Sequence, residues 1–170
     1  MVSTQDSQHS SAADEIIVVG VDGFDPSLGA LQWAIDHAPR GAVIEAIYVY
    51  EPPPMTSWSG GAPLILAPAP DTYRQAAVEC LAHSVRRCTM RTDVAVSEVV
   101  AAGSPSRVLV HYASRASLLV VGAHDAHGLG RLLGSTAVGC VRHAPCPIVV
   151  VPAPSDRLDL EGADLVPATA

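Results

Sequence analysis

The chain's 170 residues are 49% apolar, enough for the core of one domain. Seventeen acidic residues against ten basic ones give a net charge of -7, and the basic residues are scattered, which excludes a nucleic-acid backbone as partner because such binding rests on concentrated positive charge. All ten are Arg; the absence of Lys excludes a Walker-type phosphate loop and Schiff-base chemistry, and the absence of Asn removes N-glycosylation sites.

Residues 1–14 are polar with no apolar run, and residues 153–170 mix Pro, Ala and Asp without helical periodicity, so both ends read as disordered tails around a domain at 15–152. No basic segment leads into an apolar stretch of signal-peptide length, and no run approaches the roughly 18 residues of a membrane span. The expectation is a soluble, cytoplasmic protein with no membrane partner.

Taken in order, Glu15–Val21 (EIIVVGV) is a first strand. Asp25-Pro26 then sets a capping residue before a proline at the first helical position, with Leu28, Leu31, Ile35 and Ala38 at helical spacing until Pro39-Arg40-Gly41. Val43–Tyr50 (VIEAIYVY) is a second strand. Residues 51–70 follow, too rich in proline for a helix and long for a connection; Trp58 and Leu64-Ile65-Leu66 are read there as folding back over the core or a neighbouring subunit rather than as a ligand lid. A helix is predicted from about Asp71 to Met90, with Ala77, Cys80, Leu81, Val85 and Cys88 on its buried side.

Val94–Val100 is the third strand, and Ser104-Pro105 opens a helix carrying Val108, Leu109 and Tyr112. Ser117–Gly122 is the fourth strand. A last helix begins near Ser135 and carries Val138 and Val141 toward His143, where Ala144-Pro145 ends it before a fifth strand, Pro147–Val151. Strands alternating with helices imply right-handed crossovers and a doubly wound α/β domain, a five-stranded parallel sheet with helices on both faces. In such sheets ligands sit beyond the carboxyl ends of the strands, where the strand order reverses. The four cysteines form no CxxC pair and are read as core residues.

Two places beyond strand ends carry candidate chemistry. Asp22, after the first strand, is placed either to hydrogen-bond a ribose or adenine amino group or to hold the Gly23-Phe24 turn. After the fourth strand, Gly122 to Thr136 leads into a helix start at Gly134-Ser135-Thr136, where free amides and a partial positive charge suit an anion; an ordinary helix cap has the same composition. There is no GxSxG elbow, no HExxH and no close His/Cys cluster, so no catalytic residue and no metal ligand is assigned. His143 reads as a structural residue at a helix end.

VGVD with ALQWA near the start, GSPSRVLVHYAS, LLVVGAH and LLGSTAVGCVRHAPCPIVVVP resemble, in that order, the universal stress protein family over about residues 15–152. The resemblance implies the same fold and a homodimer that pairs the last strand (Pro147, Ile148, Val149, Val150, Val151) with its twin. In the family's nucleotide-binding branch, Val21 and Asp22 at the end of the first strand and backbone near Val49 hold the adenosine. A motif of Gly, two residues, Gly, nine residues, Gly, then Ser or Thr wraps the phosphates. Here Gly122, Ala123 and His124 fit, Asp125 replaces the second glycine, and eight residues instead of nine precede Gly134-Ser135, followed by Thr136.

An Asp carboxylate about 4 Å from a phosphate repels it by roughly 4 kcal/mol at an effective dielectric near 20. Mg²⁺ bridging the two would reverse the sign, and Arg131 would offset it; His124 and His127 read as solvated loop residues, with a phosphate role as the alternative. Gly128 and Gly130 restore flexibility nearer the middle of the loop. AMP or a cyclic nucleotide would meet less repulsion than ATP. The resemblance therefore implies an adenine-nucleotide-binding, dimeric regulatory module in stress response, with an unidentified protein partner. A dimeric interaction module that binds no nucleotide is the other reading, and slow ATP hydrolysis a third.

Overall fold

The computed structural model describes residues 15–51, 70–123 and 133–152. Nine elements follow in chain order: β1 (Ile16–Val21), α1 (Asp25–His37), β2 (Val43–Tyr50), α2 (Pro70–Arg86), β3 (Ala95–Ala102), α3 (Pro105–Ala113), β4 (Leu118–Gly122), α4 (Ser135–His143) and β5 (Ile148–Val151). The strands form one parallel sheet in the order β3-β2-β1-β4-β5, with Val21 beside Tyr48 and Gly122 beside Val151. The order reverses between β1 and β4, which places the switch point of this doubly wound sheet at their carboxyl ends.

Period-two alternation sorts each strand between two cores. Ile17, Val19 and Val21 of β1, Ile44 and Ala46 of β2 and Val120 of β4 pack with Leu31, Ala34 and Ile35 of α1 and Leu81 and Val85 of α2. Val18, Ile47, Leu119 and Val121 face the opposite way, onto Leu109 and Ala113 of α3 and Ala137 and Cys140 of α4. Leu31, Ile35, Ile44, Ile47, Leu81 and Leu119 are fully buried. At about 1.5–3 kcal/mol for burying each such side chain, these residues carry most of the drive to this layering.

The expected helical faces hold for Leu28, Leu31, Ile35 and Ala38 on α1 and for Ala77, Leu81 and Val85 on α2. Several details differ. Asp25 is the first residue of α1 rather than its cap; Phe24 is the N-cap, with no side-chain cap hydrogen bond. Helix α2 ends at Arg86, short of Met90, which is half exposed. Strand β3 runs on to Ala102, because its whole length is paired with β2. Val141, carried on α4, is half exposed.

Of the cysteines, only Cys140 is fully enclosed; the other three are partly buried and all four are free. Burial pushes the Cys140 thiol up to about 11, so it is an inert core residue. The carboxyl end of α1 is held by Arg91, whose Nη1 donates to the carbonyls of Ile35, Asp36 and Ala38. Asp93 accepts two further hydrogen bonds from the same guanidinium. That pairing lowers the Asp93 pKa from its ordinary value. Among the described residues no helix is long and apolar enough to cross a membrane.

Candidate functional site

Beyond the carboxyl ends of β1, β2 and β4, on the α3–α4 side of the sheet, lies a crevice of about 300 Å³. Its walls bring together most of the residues singled out in the sequence: Val21 and Asp22 after β1, Val49 near the end of β2, Gly122 at the end of β4, and Gly134, Ser135 and Thr136 at the start of α4. His124 and Asp125, with His127, Gly128, Gly130 and Arg131, lie outside the described residues, as do Trp58 and Leu64–Leu66. Sequence reasoning missed Gly20, Pro26, Ser27, Ile47, Pro105, Leu109, Val121 and Ala137, which complete the lining. Gly20 carried a signal, a glycine inside an apolar strand: a Cβ there would lie 2.8 Å from Leu109 Cδ1.

The β1–α1 turn is held by its own side chains. The Phe24 amide donates to Asp22 Oδ1 at 3.0 Å, an Asx turn, while Gly23 takes a φ of 86°. The Asp22 amide donates to Ser27 Oγ at 3.2 Å, and that hydroxyl donates to the Phe24 carbonyl at 2.9 Å. Asp22 therefore does hold the turn, as the structural reading of its position expected. Its carboxylate is exposed and its other oxygen has no hydrogen bond among the described residues, so the turn leaves an acceptor beside the crevice. Asp22 is the crevice's one charged lining residue among those described.

The opposite wall is built from backbone. Gly134 is the N-cap of α4 and makes no side-chain cap hydrogen bond, and Ser135 and Thr136 occupy the first turn. That turn carries the amides a helix start leaves without intrahelical acceptors, plus two hydroxyls, a combination that accepts an anion or carbonyl oxygen. Gly122 has a packing reason of its own. A Cβ there would come within 2.6 Å of the Pro26 carbonyl carbon and oxygen and 2.8 Å of the Ser27 nitrogen. Any side chain would push the start of α1 off the end of β4.

Behind the turn, burial raises the Tyr48 phenol pKa, with Cys80 and then the Asp22 charge adding to the effect. No group of three or more His, Cys, Asp or Glu among the described residues is arranged to hold a metal ion.

The molecule thus belongs to the doubly wound α/β proteins, with an open crevice at the switch point of its sheet. Residues 15–152 match the model of the Universal stress protein family, and the chain belongs to that family. It is 32% identical over 140 residues to a universal stress protein of Mycobacterium tuberculosis (strain ATCC 25618 / H37Rv), a match covering 79% of this chain and 47% of that protein. A universal stress protein of Methanocaldococcus jannaschii is 32% identical over 144 residues, 81% of this chain and 82% of its own length. The chain spans about half the length of the mycobacterial relatives it matches.

Among solved structures, an Arabidopsis thaliana universal stress protein family protein with AMP bound shares 20% identity, with a TM-score of 0.56 over 84% of this chain and 94% of that one. A universal stress protein in complex with cAMP shares 24% identity, with a TM-score of 0.50 over 83% and 98%. At these identities the likeness is one of fold.

Proposed function

We propose that this chain binds an adenine nucleotide in the β1–β4 crevice and acts, as a homodimer in the cytoplasm, as a regulatory module of stress response that signals through conformation or partners rather than catalysis. The observation that carries the reading is the convergence on one cavity of an exposed carboxylate after β1, Val49 near the end of β2, and the start of α4, which has no side-chain cap among the described residues. The carboxylate suits ribose hydroxyls or the adenine amino group, and the helix start suits the phosphate end. Family members of the same fold hold AMP and cAMP. ATP is the third candidate, for which Mg²⁺ would offset the charge that Asp125 brings to the loop.

For the dimer, the support is the outer edge of β5. Ile148–Val151 are paired with β4 on one side and only half-buried, and Val141 is exposed on the neighbouring helix α4. A second copy pairing there would cover both.

A second reading, an interaction module without nucleotide, is favoured by the packing of Gly122 and the turn held by Asp22, since both residues have structural work that needs no ligand. Titration calorimetry with ATP, AMP and cAMP, each with and without Mg²⁺, separates the two. Nucleotide binding predicts saturable heat with at least one ligand; six flat titrations to millimolar ligand select the second reading.

A further inference from the structure

Ser27 lines the crevice yet is 4% exposed. Its hydroxyl accepts the Asp22 amide and spends its single proton on the Phe24 carbonyl. A hydroxyl committed in this way has no donor left for a ligand. Its position explains the arrangement: as the third residue of α1 it reaches back across the helix start, as the third residue of a capping box does, but to the residue on which the crevice depends. The Ser27 backbone nitrogen sits where a side chain on Gly122 would fall, so the same residue is pressed against the end of β4.

We propose that Ser27 is a positioning residue: it and the glycine at 122 fix the β1–α1 turn to the end of β4, so that the Asp22 carboxylate is held at the crevice before any ligand arrives. The inference rests on the nucleotide reading for its ligand. The side-chain hydrogen bonds that define the turn all come from the chain's own groups. An acceptor fixed in advance spares a ligand the ordering of a three-residue turn, which is how pre-organisation raises affinity.

The test joins two measurements on the full chain. Hydrogen exchange of the Asp22 and Phe24 amides in Ser27→Ala should rise about tenfold relative to wild type, with Val18 and Val19 in β1 unchanged, and Ser27→Thr, which keeps the hydroxyl, should restore protection. AMP calorimetry then runs a double-mutant cycle with Asp22→Ala. Ser27→Ala weakens AMP about fivefold in the wild-type background and less than twofold where Asp22 is already gone, because a residue acting through another has no effect without it.

Unchanged exchange at Asp22 and Phe24, or an equal loss of AMP affinity in both backgrounds, overturns the proposal. If the turn loosens as expected but wild type gives no heat with AMP, ATP or cAMP, it is the nucleotide reading that fails, and Ser27 is left as a lock on a turn with no ligand to serve.

Discussion

The two walls of the crevice are built on different principles. On the β1–α1 side, three side-chain hydrogen bonds among Asp22, Phe24 and Ser27 and the side-chain-free contact at Gly122 hold the turn in one arrangement. On the β4–α4 side, Gly134 begins a helix without a side-chain cap, and its first turn offers donors rather than using them. Among the described residues the first wall is closed by its own hydrogen bonds, whereas the second presents the first-turn amides of α4 without a side-chain cap. The nucleoside end of a ligand would thus meet a finished surface, and its phosphates a surface that must be filled.

Substitution at Gly122 should break this contrast most severely. In Gly122→Ala the new methyl meets the backbone of Pro26 and Ser27, which cannot rotate aside. The start of α1 must then shift, at about 1–3 kcal/mol of stability by urea unfolding, with weaker nucleotide binding. A loss under about 0.5 kcal/mol would mean that the wall is not rigid.

Asp125→Gly sharpens the other side. Removing that charge should tighten ATP about tenfold in the absence of Mg²⁺ and change adenosine binding little, since the repulsion acts on phosphate alone. Equal gains for both ligands would sink the charge argument.

A smaller effect is expected for Ser135→Ala combined with Thr136→Ala: about threefold to fivefold weaker AMP in calorimetry with the melting temperature unchanged, because neither hydroxyl caps the helix. A drop in melting temperature comparable to losing a cap would place those hydroxyls in the fold instead.

The smallest effect concerns the far end of α1. Arg91 lowers the Asp93 pKa, so the folded state binds fewer protons there, and the pairing stabilises above the unfolded carboxyl value of about 3.9 and is lost as pH falls through the lower folded one. Thermal melts of Arg91→Ala should lie below wild type at pH 7, and the gap should narrow below about pH 4.

Much of the fold was legible because buried parallel strands are short β-branched runs and the helices between them repeat their apolar residues every three or four positions. The sequence pattern predicts Val43–Tyr50 with its observed bounds, and β1, β4 and β5 to within a residue. The start of α1 was misread because Asp25-Pro26 has the composition of a cap, while the actual hydrogen bonds run between Asp22, Phe24 and Ser27, a geometry set by the turn rather than by one residue's propensity. Gly122 was legible as a glycine the motif requires, but its contact with Pro26 brings together residues almost a hundred positions apart, which no local pattern records. Ser27 left no signal at all, since a serine near a helix start is ordinary.

If the β1–α1 wall meets the nucleoside and the start of α4 meets the phosphates, calorimetry of one preparation without Mg²⁺ against adenosine, AMP and ATP separates the two contributions. Adenosine and AMP should bind within about tenfold of each other, roughly 1.4 kcal/mol, and ATP no more tightly than AMP. A hundredfold or greater gain at each step from adenosine to AMP to ATP would contradict the account, because the phosphate wall would then be supplying most of the affinity.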